Sequence, residues 1–218
     1  MRPSIAAIAC LLVIAVLGTL GANAKPPKGQ VTITDSPKVI TFGQQATISG
    51  KLTGPKMSGV SVQLQQQQAP YTGGFHNFLT TTTNAQGQYS FTVGPLLNTK
   101  YRVMAKAGPT VTSAEITLPV RFKVTLRLSD TTPTAGQRVR FSGICAPKHN
   151  GALVYIQRRS ATGAWHTVRR TTLKDTTGDR SKYSRRIRIS RTGTFRARVL
   201  HDTLHATGTS RAKTAHVS

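Results

Sequence analysis

One eight-residue pattern occurs twice in this chain and constrains its fold more than any other feature. Residues 43–50 read Gly-Gln-Gln-Ala-Thr-Ile-Ser-Gly, and residues 136–143 read Gly-Gln-Arg-Val-Arg-Phe-Ser-Gly, 93 positions later. In both copies, polar and apolar residues alternate between turn-forming glycines, which is the pattern of a β-strand with one buried face. The repeat predicts two structural units of the same kind in tandem.

Other short alternating runs surround both copies. Those of the first unit are 31–34, 39–42, 60–65, 75–79, 89–93, 101–105 and 113–120, and those of the second are 124–128, 153–157, 165–168, 183–189, 193–199 and 211–217. About seven short strands per unit, separated by Gly, Pro and Asn turns, predict an all-β fold of two tandem β-sandwich domains, residues 25–120 and 121–218. A five-stranded barrel is the alternative, and the tandem arrangement favours the sandwich.

The first 24 residues have the pattern of a secretory signal peptide. Arg2 precedes an apolar run, Ile5–Leu20, and the small residues of Ala22–Ala24 end the segment. This order predicts cleavage after Ala24 and a secreted protein. A membrane anchor and a lipoprotein on Cys10 are the alternatives; the apolar run is short for a membrane span, and the residues before Cys10 match a lipobox poorly. No later segment is apolar enough to span a membrane, so we expect no transmembrane segment in the mature chain.

Positive charge is the unusual quantity of the composition. The net charge is +24, and residues 121–218 contain 21 Lys and Arg, 16 of them Arg, against four Asp and Glu. Residues 25–120 contain only eight basic and two acidic residues. Such a field favours polyanionic partners, namely nucleic acid, anionic cell-wall polymer or lipid headgroups. The alternative is that the charge serves solubility alone.

The arginines of the second unit alternate with apolar residues, as in the segment Arg186–Ile189. Alternation predicts that arginines project from the outer face of a sheet while the core stays apolar. Guanidinium groups bind phosphate and carboxylate bidentately. Few aromatic residues are interleaved, so we expect phosphate contact without base stacking. We predict that ten arginines lie on neighbouring strands and form a candidate polyanion-binding site. They are Arg158, Arg159, Arg169, Arg170, Arg185, Arg186, Arg188, Arg191, Arg196 and Arg198.

Few residues offer catalytic or metal chemistry. The six carboxylates include one glutamate, Glu115, so we predict that the protein is not an enzyme and uses no cofactor, metal or small-molecule substrate. Asp175 and Asp179 share a turn with too few oxygen ligands for calcium. His201 and His205 have the i, i+4 spacing that suits zinc on a helix, but we place them in a loop before the last strand. A metal or enzyme site at these histidines is the remaining alternative.

Two single residues are predicted to be structural. Trp165, the only tryptophan, is expected in the core, and an exposed stacking role is the second choice. Cys145 is the only cysteine after the signal peptide, so no intramolecular disulfide is possible. We expect it to be a small buried apolar residue, with an intermolecular disulfide as the alternative.

The order of these motifs resembles the Ig-like modules of secreted actinobacterial proteins. The resemblance rests on Gly43, Gln44, Ser49, Gly50, Val62, Leu64, Gln65, Gly87, Tyr89, Phe91, Thr99, Tyr101 and Arg102, and it covers almost the whole chain after residue 24. It implies an Ig-like β-sandwich for both domains and a role in adhesion, spacing or display. The second copy departs at Arg185-Arg186, where the family has an apolar residue flanked by polar ones.

Together these observations predict a secreted, non-enzymatic binding or adhesion protein. Its Arg-rich second domain would contact an anionic polymer of the cell envelope or of the surroundings. The alternative is a structural spacer or a module that binds a protein partner, with the charge serving solubility.

Overall fold

The computed structural model describes residues 29–218, and the predicted signal peptide lies outside them. These residues are all-β: only strands, turns and bends occur. The strands up to the boundary at residue 120 are β1 (Gln30–Val31), β2 (Thr34–Ser36), β3 (Ile40–Thr41), β4 (Ala46–Thr53), β5 (Ser61–Gln68), β6 (His76–Thr82), β7 (Gln88–Val93), β8 (Thr99–Lys106), β9 (Thr110–Thr112), β10 (Ile116–Leu118) and β11 (Val120–Arg121).

The strands that follow are β12 (Lys123–Val124), β13 (Arg127–Leu128), β14 (Gln137–Ala146), β15 (Leu153–Arg159), β16 (Trp165–Thr172), β17 (Lys174–Asp175), β18 (Ser181–Ile189), β19 (Gly193–Val199), β20 (Gly208–Thr209) and β21 (Lys213–Ala215). We call residues 29–120 the first half and residues 121–218 the second half.

Each half has two antiparallel sheets around a hydrophobic core of its own. In the first half β4 pairs with β1, β2 and β7, and a second sheet has the order β10-β8-β5-β6 with β9 beside β8. In the second half the orders are β12-β14-β18-β17, with β13 beside β14, and β16-β15-β19-β20, with β21 beside β19. One core includes Ile48 and Val103, the other Phe141 and Ala197. The predicted all-β, β-sandwich-like fold is confirmed.

The two halves share one register around a glycine–tyrosine pair that occurs once in each. Gly50 of β4 lies opposite Tyr89 of β7, and Gly143 of β14 lies opposite Tyr183 of β18. Each tyrosine hydroxyl crosses its glycine and donates a hydrogen bond to a backbone carbonyl on the next strand segment, that of Thr32 or Thr125. The second bond is 2.6 Å long. Only glycine leaves room for this crossing.

The same hydrogen bond explains a difference from the predicted strands. We expected continuous strands over 31–34 and 124–128, but each is divided, into β1 and β2 and into β12 and β13. The carbonyls of Thr32 and Thr125 lie in these gaps and accept the tyrosine hydroxyls. Sequence alternation does not reveal this interruption because the side chains keep the period of two.

The chain between the halves is held by backbone hydrogen bonds on both sides. Strand β11 pairs in parallel with β3, so that Val120 lies opposite Ile40. On its other side, the carbonyl of Val120 accepts a bond of 2.8 Å from the amide of Ala206, and the amide of Phe122 donates to the carbonyl of Ala206. The connection is therefore fixed to both halves.

The tyrosine crossing predicts the effect of a methyl group at Gly143. In Gly143→Ala the added Cβ would collide with the backbone carbonyl of Thr125, so we expect the free energy of unfolding to fall by about 1–3 kcal/mol. Urea denaturation of the full chain measures this. Gly74→Ala is the control, since no atom lies within 4 Å of its added Cβ. Equal midpoints for the two variants would contradict the account.

Candidate functional site

The ten candidate arginines do not lie on one set of neighbouring strands, so that prediction is wrong. Strand β18, with Arg185, Arg186 and Arg188, belongs to the β14 sheet. Strands β15, β16 and β19 form the other sheet and carry Arg158, Arg159, Arg169, Arg170, Arg196 and Arg198. Arg191 lies in the turn between β18 and β19. The sequence shows which residues alternate, but the partition of strands between two sheets depends on long-range pairing.

The outer face of the β14 sheet is strongly cationic. Register and alternation put Val139, Phe141 and Ile187 on the inner face, where they are buried. The exposed cations on the outward positions define what we call the basic face: Arg127, Arg138, Arg140, Lys174, Lys182, Arg186 and Arg188. Of these, only Arg186 and Arg188 are among the ten candidates predicted from the sequence, although Arg138 and Arg140 show the same alternation.

Arginines on the basic face lie directly opposite each other. Arg140 pairs with Arg186 across β14 and β18, and Arg138 pairs with Arg188. Like charges in such positions destabilise a sheet, by about 0.2–1 kcal/mol per pair. The pair Ser49–Ser90 of the first half matches Ser142–Ser184 of the second. Two residues along from it, the pair Thr47–Thr92 takes the position of Arg140–Arg186. The fold therefore does not require arginine there.

On the outer face of the β15 sheet, two neighbouring side chains hold the guanidinium group of Arg196 in place. Its Nε donates a 2.8 Å hydrogen bond to Oε1 of Gln157, and its guanidinium lies 4.2 Å from the centroid of the Trp165 ring. Trp165 is half-buried on this outer face rather than in the core, so the first prediction for it is wrong. It opposes Arg159 in register, and the alternation of β16 directs it away from the core.

The first half contains the same arrangement without the surrounding charge. Arg102 donates a 2.8 Å bond to Gln65 and stacks at 4.3 Å on Phe75. Arg196 therefore has a structural role that is common to both halves. Its neighbour Arg198 does not, because Met104 occupies the matching position of β8 opposite the central strand.

Three candidate arginines occupy positions that alternation directs toward the core. Arg158, Arg169 and Arg185 lie opposite Phe195, Ile156 and Phe141. Arg169 and Arg185 are exposed because β16 and this part of β18 are sheet edges. Inward-pointing charges on edge strands oppose edge-to-edge aggregation.

Two of the candidate arginines, Arg158 and Arg159, are hydrogen-bonded to nearby backbone carbonyls. Nη2 of Arg158 donates a 2.7 Å bond to the carbonyl of Thr192, and Nε of Arg159 donates to the carbonyl of Gly163 at 3.3 Å. These two side chains stabilise turns, so they are less available to bind a ligand than the other candidates.

No arginine in residues 29–218 forms a salt bridge. The ion pairs within 4.0 Å have Lys or His as the cation, as in the Lys38–Asp35 and Lys148–Asp175 pairs. With so few carboxylates the guanidinium groups on both outer faces keep their charge uncompensated by the protein. They are available to an external anion.

A groove between the halves brings together cations from two separate segments. Arg121 and Lys123 come from the connection, and Arg196 and Arg198 come from β19; we call the concavity of about 750 Å³ between them the junction groove. Arg121 and Lys123 are not among the candidates predicted from the sequence, because each stands alone beside the predicted domain boundary rather than in a pair or run of arginines.

The histidine alternative for a metal site finds little support in the geometry. His201 and His205 lie in the loop between β19 and β20, as predicted, and not on a helix. His205 is buried against Phe122, with ring centroids 4.7 Å apart, and Asp202 contacts it at 3.8 Å. Within residues 29–218 no group of three or more His, Cys, Asp or Glu side chains is arranged to hold a metal ion. Nε2 of His205 lies 3.1 Å from the carbonyl oxygen of Leu96, so this cluster contacts the first half.

Cys145 is fully buried in the second core, as predicted. Burial raises the pKa of its thiol to about 12, so the reactive thiolate does not form near neutral pH.

Asp175 lies in the short strand β17 rather than in the predicted turn, and its carboxylate forms an ion pair with Lys148.

No protein-family model matches this chain, and no curated protein matches it either. Across residues 29–218 no helix is long and apolar enough to cross a membrane.

Opposed arginines on the basic face predict a salt-dependent gain in stability. Arg140→Thr combined with Arg186→Thr installs the pair of the first half. We expect the free energy of unfolding to rise by about 0.2–1 kcal/mol at low ionic strength and the gain to shrink in high salt. Urea denaturation at two salt concentrations measures it, with Thr47→Ser and Thr92→Ser as a charge-neutral control. A loss of stability at low salt would contradict the expected repulsion.

His205 predicts a pH dependence of stability. Burial lowers the pKa of its imidazole, with His149 acting in the same direction and Asp202 and Asp179 opposing. Because the folded state resists protonation, stability is complete above the ordinary pKa of about 6.5 and declines as the pH falls below it. Denaturation at pH 7.5 and 5.5 should show a smaller decline for His205→Gln than for the unmodified chain. Identical declines would exclude His205 as the cause.

Proposed function

We propose that this protein is a secreted, non-enzymatic binding protein whose Arg-rich second half attaches to an anionic polymer of the cell envelope or of the surroundings. The two halves would be tandem Ig-like β-sandwich domains, 25–120 and 121–218, that follow a cleaved signal peptide. Support for two domains comes from the two separate cores and from the repeated register around Gly50 and Gly143.

The observation that carries the proposal is the internal comparison between halves. Equivalent outward positions hold Thr47 and Thr92 in the first half but Arg140 and Arg186 in the second. Since both halves fold with the same register, the arginines are not needed for folding, and their mutual repulsion is a cost. A bound polyanion would remove that repulsion and release its own counterions.

The second candidate function is a spacer or a protein-binding module whose charge serves solubility. Its motivation is that a high net charge by itself keeps proteins soluble and monomeric. This alternative requires no bound polymer, and contacts with a protein partner would persist at high salt.

Binding of labelled inorganic polyphosphate by the full chain tests the proposal. We expect the affinity to fall about tenfold or more between 50 and 200 mM salt, since each released counterion adds to the salt dependence. Neutral dextran is the ligand control. The sixfold variant Arg121→Gln, Lys123→Gln, Arg140→Thr, Lys182→Gln, Arg186→Thr and Arg198→Met should lose most of the binding while unfolding as cooperatively as the unmodified chain.

Absence of polyphosphate binding at 50 mM salt would overturn the proposal and leave the spacer. Binding that does not change with salt would also contradict it, because phosphate contacts by arginine release counterions.

A further inference from the structure

The junction groove takes its cations from two segments that are far apart in the sequence. Arg121 and Lys123 belong to the connection, whereas Arg196 and Arg198 belong to β19. The residues that line the groove include no Asp or Glu. Its volume of about 750 Å³ lies in the range typical of ligand sites, roughly 300–1,000 Å³.

The backbone that carries the groove is fixed in advance of binding. Strand β11 is paired with β3, so Arg121 lies opposite Thr41. The amide of Phe122, between the two groove cations of the connection, donates a 3.1 Å bond to the carbonyl of Ala206. Arg196 is oriented by Gln157 and Trp165. A ligand would therefore meet a backbone and one guanidinium group, that of Arg196, that need little further ordering.

The groove also provides neutral donors. Thr207 and Thr209 line it beside Arg198. Oγ1 of Thr207 accepts a 3.0 Å bond from the amide of His201, which leaves its hydroxyl hydrogen free to donate. Anionic oxygens bind well where hydroxyl donors and cations occur together.

Partial burial of two of its cations distinguishes the groove from the basic face, which has a concavity of its own, of about 660 Å³, beside Arg127, Arg140 and Lys182. All cations of the basic face are exposed, where water and salt screen their charges. In the groove, Arg196 and Arg198 are half-buried, whereas Arg121 and Lys123 are exposed. Burial lowers the pKa of Arg196, and the neighbouring charge of Arg198 lowers it further. An anion placed between them gains more per contact than one on the open face.

We propose that the junction groove is the primary site at which this protein holds its polymer, and that the polymer is a phosphodiester chain. The inference rests on the proposed function and identifies its site and its ligand chemistry. Cations approach the groove from the connection and from β19, so a bound group is contacted from two directions. The two non-bridging oxygens of a phosphodiester project from a tetrahedral phosphorus and can be reached from different sides, whereas a planar carboxylate presents its two oxygens along one edge.

Two charge-matched triple variants of the full chain test the site. The groove variant combines Arg121→Gln, Lys123→Gln and Arg198→Met, and Arg196 is left unchanged because of its structural role. The basic-face variant combines Arg140→Thr, Lys182→Gln and Arg186→Thr. Each removes two arginines and one lysine, and each substitution except that of Arg121 installs the residue found at the matching position of the first half.

Poly(glycerol phosphate) is the probe, and its binding is measured over a range of salt concentrations. We expect the groove variant to lose at least about tenfold in affinity at 50 mM salt. The slope of log K against log salt should become shallower by about 2, because three cations are removed and each lost phosphate contact accounts for about 0.7. The basic-face variant should change by less than a third of this. The single variant Arg121→Gln, at an exposed position, should lose part of the affinity with unchanged unfolding.

Equal losses in the two triple variants, or a larger loss in the basic-face variant, would overturn the groove assignment while leaving the proposed function intact. If the unmodified chain bound neither polyphosphate nor poly(glycerol phosphate), both the groove assignment and the proposed function would be overturned. Tighter binding of polygalacturonate than of poly(glycerol phosphate) with the same number of charges would overturn the phosphodiester assignment.

A last comparison separates two sources of the same chemistry. A single-stranded oligonucleotide with an equal number of phosphates competes with poly(glycerol phosphate) for the unmodified chain. Stronger competition by the oligonucleotide supports the groove as a site for nucleic acid, and weaker competition supports a phosphate polymer without bases. Both results support phosphodiester binding.

Discussion

The backbone of the connection between the halves is hydrogen-bonded on both sides, and the arrangement of the charged surfaces depends on this. Val120 lies opposite Ile40 on one side and bonds to Ala206 on the other. Asn98 of the first half adds a second link: its amide donates to the carbonyl of Leu204, and its side-chain oxygen accepts from the amide of Val120. The groove exists because these bonds hold Arg121 beside β19.

The distribution of charge in the second half reflects the difference between the inner and the outer face of each β-strand. Buried inner positions such as Val139 and Ile187 must be apolar, and outer positions are free to vary. The first half fills comparable outer positions with Thr and Gln, and the second half fills them with Arg and Lys. Shared arginines such as Arg102 and Arg196 are explained by stacking on an aromatic ring, whereas the unshared ones, such as Arg140 and Arg198, are left for an external anion.

The sequence predicted the features that depend on local pattern. The repeat around Gly50 and Gly143, the positions of most strands, the burial of Cys145 and the loop at His205 agree with the structure. It could not predict features that depend on which strands pair. The partition of arginines between two sheets, the outward position of Trp165, and the gathering of Arg121 with Arg198 all result from contacts between residues far apart in sequence.

The most direct test of the central claim is the NMR signal of each arginine Nε–Hε group during titration of the full chain with a short phosphate oligomer. If unshared arginines hold the polymer, the signals of Arg121 and Arg198 will shift most and with a common midpoint. The signal of Arg102, which stacks on Phe75 in the first half, will stay in place. Equal shifts for all arginines, or none, would contradict the account.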